Sequence, residues 1–132
     1  MPLASSLPTK ISMAFRKFEE IVAWQKAREV NRLIYSETAE SSFARDFALR
    51  DQIRRSSISI MAIIAEGFGR HSDKEFANFL NIARGSAFEV QSHLYVAFDL
   101  AYISESVFKV LYATLDEICR MLHTLRKRLL EG

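Results

Sequence analysis

Residues 72–101 read SDKEFANFLNIARGSAFEVQSHLYVAFDLA. Within this stretch Phe76, Phe79, Leu80, Ala83, Ala87, Val90, Leu94, Phe98 and Ala101 recur at steps of three and four. That spacing keeps one apolar face over about seven turns of a 3.6-residue helix, whereas a strand would alternate at every second residue. Ser72 with Glu75 three residues on is the spelling of a helix N-cap. Arg84, Phe88 and Tyr95 form a second, flanking row. Gly85 sits mid-helix, where Gly costs about 1 kcal/mol against Ala, so a close packing partner is expected there.

The same period runs through the rest of the chain. A first helix is expected over 19–39, with Ala23, Ala27, Val30 and Ile34 on one face and Trp24, Asn31 and Tyr35 on its flank. A second spans 46–66, with Leu49, Ile53, Ile60 and Ile64 as its core stripe and Asp46 as its cap. Gly67 is expected to end it, and Gly67 and Gly69 to make the turn that follows. The fourth helix spans 104–130, capped by Ser104 or Ser106, with Val107, Leu111, Thr114, Ile118, Met121, Leu125 and Leu129 inward. The connector AESSFARDF, 39–47, reads as a polar loop. Short connectors make sequential helices antiparallel. The expected fold is therefore all-α, an up-down-up-down antiparallel four-helix bundle over residues 15–132. Residues 1–14, with both prolines and three serines, are expected to be a disordered tail.

Composition agrees with one helical domain. The 132 residues are 49% hydrophobic, with four Gly and two Pro. A single Cys excludes an internal disulfide and points to a reducing compartment, so the expected location is cytoplasmic. Apolar runs fall short of the roughly 18 residues that a membrane span needs, and the N-terminus does not spell a secretory signal. No membrane partner is expected.

Catalytic chemistry is not spelled out, and no enzyme, metal or cofactor is expected. His71, His93 and His123 do not follow a Glu at three residues, as di-iron bundles require. Glu89 and His93 read as a surface pair and Cys119 as a half-buried, inert thiol. EGFGR, 66–70, lacks the strand and the Gly-Lys-Ser/Thr of a phosphate loop.

Basic residues carry more information. Most of the 18 are arginine, which favours bidentate contacts with phosphate and carboxylate. Lys26, Arg28 and Arg32 crowd the first helix, Arg50, Arg54 and Arg55 the second, and Arg126, Lys127 and Arg128 the end of the fourth. These nine are the candidate nucleic-acid contacts, although a net charge of +2 permits such a partner without demanding it. The stretch IRRSSISIMAIIAEGFGR, 53–70, raises a second point. Its face of Arg50 and Arg54 continues into Ile58, Met61 and Ala65, apolar beyond what one bundle core needs. With Phe88 and Tyr95, these residues are the expected homo-oligomer interface.

FEEIVAWQKA (18–27), LRDQIRRSSISI (49–60), IAEGFGR (64–70) and FLNIARGSAFEVQSHL (79–94) occur in that order. Together they resemble the four-helix-bundle family named for the 23S rRNA intervening sequence, also called S23 ribosomal proteins. The likeness covers about residues 18–128. One departure is local: where the family commonly reads Ser-Ile-Pro-Ser-Asn-Ile-Ala-Glu-Gly, this chain has Met61, Ala62 and Ile63 in place of Pro, Ser and Asn. The family name reflects where some members are encoded and does not establish a place in the ribosome. The family is also similar to the accessory variability protein of diversity-generating retroelements, a pentameric, nucleic-acid-binding bundle. What the resemblance implies is a homopentamer with basic surfaces. Two readings follow: an oligomer that binds nucleic acid, RNA before DNA, and a scaffold for a protein partner docking on Trp24, Tyr35, Phe88 and Tyr95.

Overall fold

The structure, a computed structural model, describes residues 14–131. The expected tail thus lies outside the described residues, save for Ala14. A 3₁₀ turn at Phe18–Glu20 leads into α1 (Val22–Thr38), α2 (Ser41–Arg45), α3 (Phe47–Phe68), α4 (Asp73–Asp99) and α5 (Glu105–Glu131). The four long helices form an up-down-up-down bundle. α1 packs on α3 and α5, and α4 packs on the same two, so the α1–α3 face and the α4–α5 face lie on opposite sides of the molecule. Cross-helix bonds fix the antiparallel register. Ser57 on α3 donates to Asn31 on α1, and Gln91 on α4 donates to Asp116 on α5.

Local signals set the helix starts. Asp46 caps α3 by accepting from the Leu49 N–H, Ser72 caps α4 through Glu75 N–H, and Ser104 caps α5 through Val107 N–H. The stripes meet in one core in which Ala23, Ala27, Val30, Ile34, Ile53, Ile60, Ile64, Phe76, Leu80, Ala83, Ala87, Val90 and Leu94 are buried.

Several expectations are corrected. Gly67 does not end its helix: α3 continues to Phe68, and Gly67 is buried inside it. A Cβ there would sit 2.5 Å from the Phe79 Cβ, so the missing side chain lets α3 and α4 close together. Neither Gly67 nor Gly69 takes positive φ; His71 does instead, at 55°. Gly85 has nothing within 4 Å of a would-be Cβ, so no close partner among the described residues explains it.

α4 stops two residues before the apolar stripe does. Ala101 adopts φ 58°, Tyr102 N–H bonds to Ala97 C=O at 2.8 Å and Ala101 N–H to Phe98 C=O. This paired closure usually takes Gly in the left-handed position. Phe98 is left exposed. On α5 the inward residues include Leu115, Cys119 and Leu122; Thr114, Met121 and Leu125 sit at the edge, and Cys119 is buried rather than half-buried. Leu49 is likewise at the rim of its stripe. The connector folds as well. Phe43 on α2 is buried and stacks on Tyr102 at 5.1 Å, while the Tyr102 phenol donates to Asp46 Oδ2. That hydrogen bond to a carboxylate pushes the Tyr102 phenol above its ordinary pKa.

Candidate nucleic-acid interface

The basic residues divide by what holds them. Lys26 points from α1 to α5 and pairs with Glu117 at 3.0 Å. Arg50 is committed locally: its Nε meets Asp51, its Nη1 donates to Ala44 C=O, and its guanidinium lies over Phe47. Arg54 donates from Nε to Thr38 Oγ1 at 2.7 Å and stacks over Tyr35 at 4.4 Å. It bridges to no glutamate; a neutral hydroxyl and a ring fix it. Arg28, Arg32 and Arg55 are exposed and form no ion pair among the described residues.

Helix geometry gathers some of them on the α1–α3 face. Asn31 and Thr38 meet α3, which places Arg28 and Tyr35 on the same side of α1. Lys26 faces α5, and Glu29 and Glu37 fall on its side of the helix. The α1–α3 face is therefore short of acid, with Asp51 at one end. Lys127 and Arg128 lie at the far end of α5, exposed and without an ion pair among the described residues. Arg126 turns into the α4–α5 groove beside Lys74, Asn78 and Phe79.

The apolar candidates divide too. Ile58 (42% exposed) continues the Arg54 face of α3 toward α1, with Met61 and Ala65 half-buried beside it. Phe88 (50%) and Tyr95 (51%) stand on the opposite side, over the α4–α5 groove. Tyr95 belongs to an aromatic cluster with Phe98, Phe108 and Tyr112, with centroids 5.0 to 5.8 Å apart. The Tyr95 phenol, as a hydrogen-bond partner, pushes the Tyr112 phenol up. Trp24, packed on Phe18, and Tyr35 lie away from this cluster, so the four aromatics proposed for docking do not form one surface.

Sequence reasoning did not assign Arg84 and Arg120 to the site. They face each other across the α4–α5 groove with His123, Asp116 and Cys119 between them. The signal is the flanking row of Arg84, Phe88 and Tyr95; the matching row on α5 is hidden in the sequence because the α5 apolar stripe, read from periodicity alone, falls about a residue from the buried one. Cys119 is a buried free thiol whose pKa burial raises, against a smaller lowering by Arg84. His93 and Glu89 make the expected i, i+4 contact at 3.4 Å. Among the described residues no group of three His, Cys, Asp or Glu could hold a metal, and no helix is long and apolar enough to cross a membrane.

This fold matches known proteins. The family model described as 23S rRNA-intervening sequence protein covers residues 19–124, most of the bundle from the 3₁₀ turn to the last turns of α5. The chain belongs to the 23S rRNA-intervening sequence protein family. A crystal structure from the S23 ribosomal protein family of Bacteroides thetaiotaomicron, of a protein with unknown function, is 28% identical, with a TM-score of 0.73. The likeness covers 80% of this chain and 96% of that one. No curated protein matches. The family's shared bundle supplies the scaffold on which these arginines and aromatics are placed.

Proposed function

We propose that this member of the 23S rRNA-intervening sequence protein family is a non-enzymatic, homo-oligomeric nucleic-acid-binding protein, with RNA the preferred partner. The observation that carries this reading is the α1–α3 face. Arg28, Arg32 and Arg55 are exposed there without ion pairs, beside an Arg54 fixed over Tyr35. Arginines left free of carboxylates are available to phosphate, and aromatic rings near them suit unstacked bases. A free thiol at Cys119 fits a reducing, cytoplasmic setting.

Self-association is supported by the placement of apolar residues. Ile58 and the Tyr95 aromatic cluster lie on opposite faces. A two-fold dimer through one face leaves the other uncovered, whereas a head-to-tail contact covers both and makes a ring where the rotation between subunits closes. A pentamer is the ring that the family resemblance suggests. The alternative, a scaffold for a protein partner, draws on the open aromatic cluster around Tyr95.

The test is binding of nuclease-treated protein to RNA and duplex DNA across a salt series. Affinity should fall steeply with salt. Arg28→Ala, Arg32→Ala and Arg55→Ala together should lower the single-strand salt slope by about 2, at roughly 0.7 per phosphate contact. No binding at low salt would sink the reading and leave the scaffold. Light scattering should give a mass several times 15.2 kDa; a monomer mass rejects the ring.

A further inference from the structure

Two buried side-chain polar atoms among the described residues have no hydrogen-bond partner. Both are arginine Nε, on Arg84 and Arg126. They lie in two neighbouring clefts along the α4–α5 seam. Buried donors in native proteins are nearly always paired, and leaving one unpaired costs about 1–3 kcal/mol, more for a charged group. Arginine cannot escape by losing its proton. Arg54, on the other face, is satisfied at Nε by Thr38. The contrast points to an acceptor supplied from outside the chain.

Charge identifies the acceptor. Arg120 and His123 line the cleft of Arg84, and Lys74 lines that of Arg126. The acids of the two clefts are Asp116 and Glu75, and neither comes within ion-pair distance of Arg84 or Arg126. Asp116 is engaged by Gln91 Nε2 at 2.9 Å. Two arginines or lysines against one acid leave each cleft positive, and a guanidinium fork suits phosphate oxygens in pairs. Because each Nε is unpaired in its folded-in pose, swinging the guanidinium outward onto an anion gives up no hydrogen bond there. Arg84 shares its cleft with Arg120, and Arg126 shares its own with Asn78, six residues earlier on α4. The two arginine levels are thus about 9 Å apart at 1.5 Å per residue, which suits a chain of phosphates better than a single one. The half-exposed Phe88 ring, 5.6 Å from the Arg84 Cζ, offers a face for an unstacked base.

We infer that the basic half of the α4–α5 groove binds consecutive phosphodiesters of a single nucleic-acid strand, with Arg84 and Arg126 on the phosphates and Phe88 under a base. This rests on the nucleic-acid reading and gives it a second site. The aromatic half, around Tyr95, remains for the neighbouring subunit.

The test reads the arginine Nε–Hε resonances of the full chain during titration with inorganic phosphate, a single-stranded RNA oligomer or a duplex of the same length. The RNA should shift Arg84 and Arg126 more than the duplex does. Arg84→Gln with Arg126→Gln should weaken RNA binding about tenfold or more, as expected for losing charged hydrogen bonds. The exposed Arg120→Gln, which cannot disturb the core, should weaken it in the same direction. Shifts with inorganic phosphate but not with RNA would overturn the strand and leave a site for a small phosphate compound. No shift with either probe overturns the site. Shifts that follow protein concentration alone assign the arginines to a subunit contact and also overturn it. If RNA binding depends on Arg28, Arg32 and Arg55 while the α4–α5 resonances stay still, the general reading survives and this one fails.

Discussion

The α1–α3 face and the α4–α5 face are built from the same kinds of residue and treat their arginines differently. On the first, Arg54 reaches a hydroxyl on the neighbouring helix and a tyrosine ring, and the pairing helps hold α3 to α1. On the second, Arg84 lies over the Phe88 ring, and both Arg84 and Arg126 have Nε buried and unpaired. Arg54 on the first face stabilises the fold. On the second face the unpaired arginine is a cost to the isolated chain, which is what a binding group looks like before its ligand arrives.

The largest effect is expected where α3 and α4 hold the two faces apart. Gly67→Ala puts a methyl group 2.5 Å from the Phe79 Cβ, so the helices must separate. Denaturant unfolding should show a loss of about 2–3 kcal/mol, in the range of overpacked cores. A smaller loss, about 1–2 kcal/mol, is expected for Arg54→Ala, from one hydrogen bond and one cation–π contact.

Arg84→Met and Arg126→Met should have the opposite sign. Each should leave stability unchanged or raise it by up to about 1 kcal/mol, because a buried, unpaired N–H is replaced by an apolar chain of similar length. A loss matching that of Arg54→Ala would erase the distinction between the faces. Gly85→Ala should add about 1 kcal/mol to a helix with open space at that point, measured on the monomer in dilute solution. If it instead disrupts self-association, a second copy packs against Gly85.

The smallest effect is the pH response of Cys119. Burial raises its thiol, and unfolding releases it to the ordinary value. The sign follows from linkage: its contribution is complete below the unfolded pKa of about 8.5 and is lost as pH rises through the higher folded value. Cys119→Ala should therefore flatten stability between pH 8 and 10. Alkylation of the native thiol should also lag behind that of the unfolded chain at the same pH.

Much of the bundle was legible because apolar period and caps are local. The α1 stripe, the caps Asp46, Ser72 and Ser104, and the span of each long helix all follow from residues within a few turns of one another. The site was less legible. Five residues grouped as one interface fall on two opposite faces, since a helix shows its flanks in sequence but not which neighbour each flank meets. Arg50 and Lys26, two of the nine candidate contacts, are held by Asp51 and Glu117.

The sequence by itself determined that this chain is four long helices with one apolar face each, and the motifs it carries placed it in its family. Periodicity and capping are short-range, so a linear string contains them. Only the tertiary structure decided what the glycines and arginines do. Gly67 reads as a helix stop until Phe79, twelve residues on, is brought against it. Arg54 and Arg84 are alike in sequence, each set among apolar residues on a helix flank. One meets Thr38 across a helix seam and the other's Nε meets no acceptor among the described residues, and that difference exists only once four helices have chosen their neighbours.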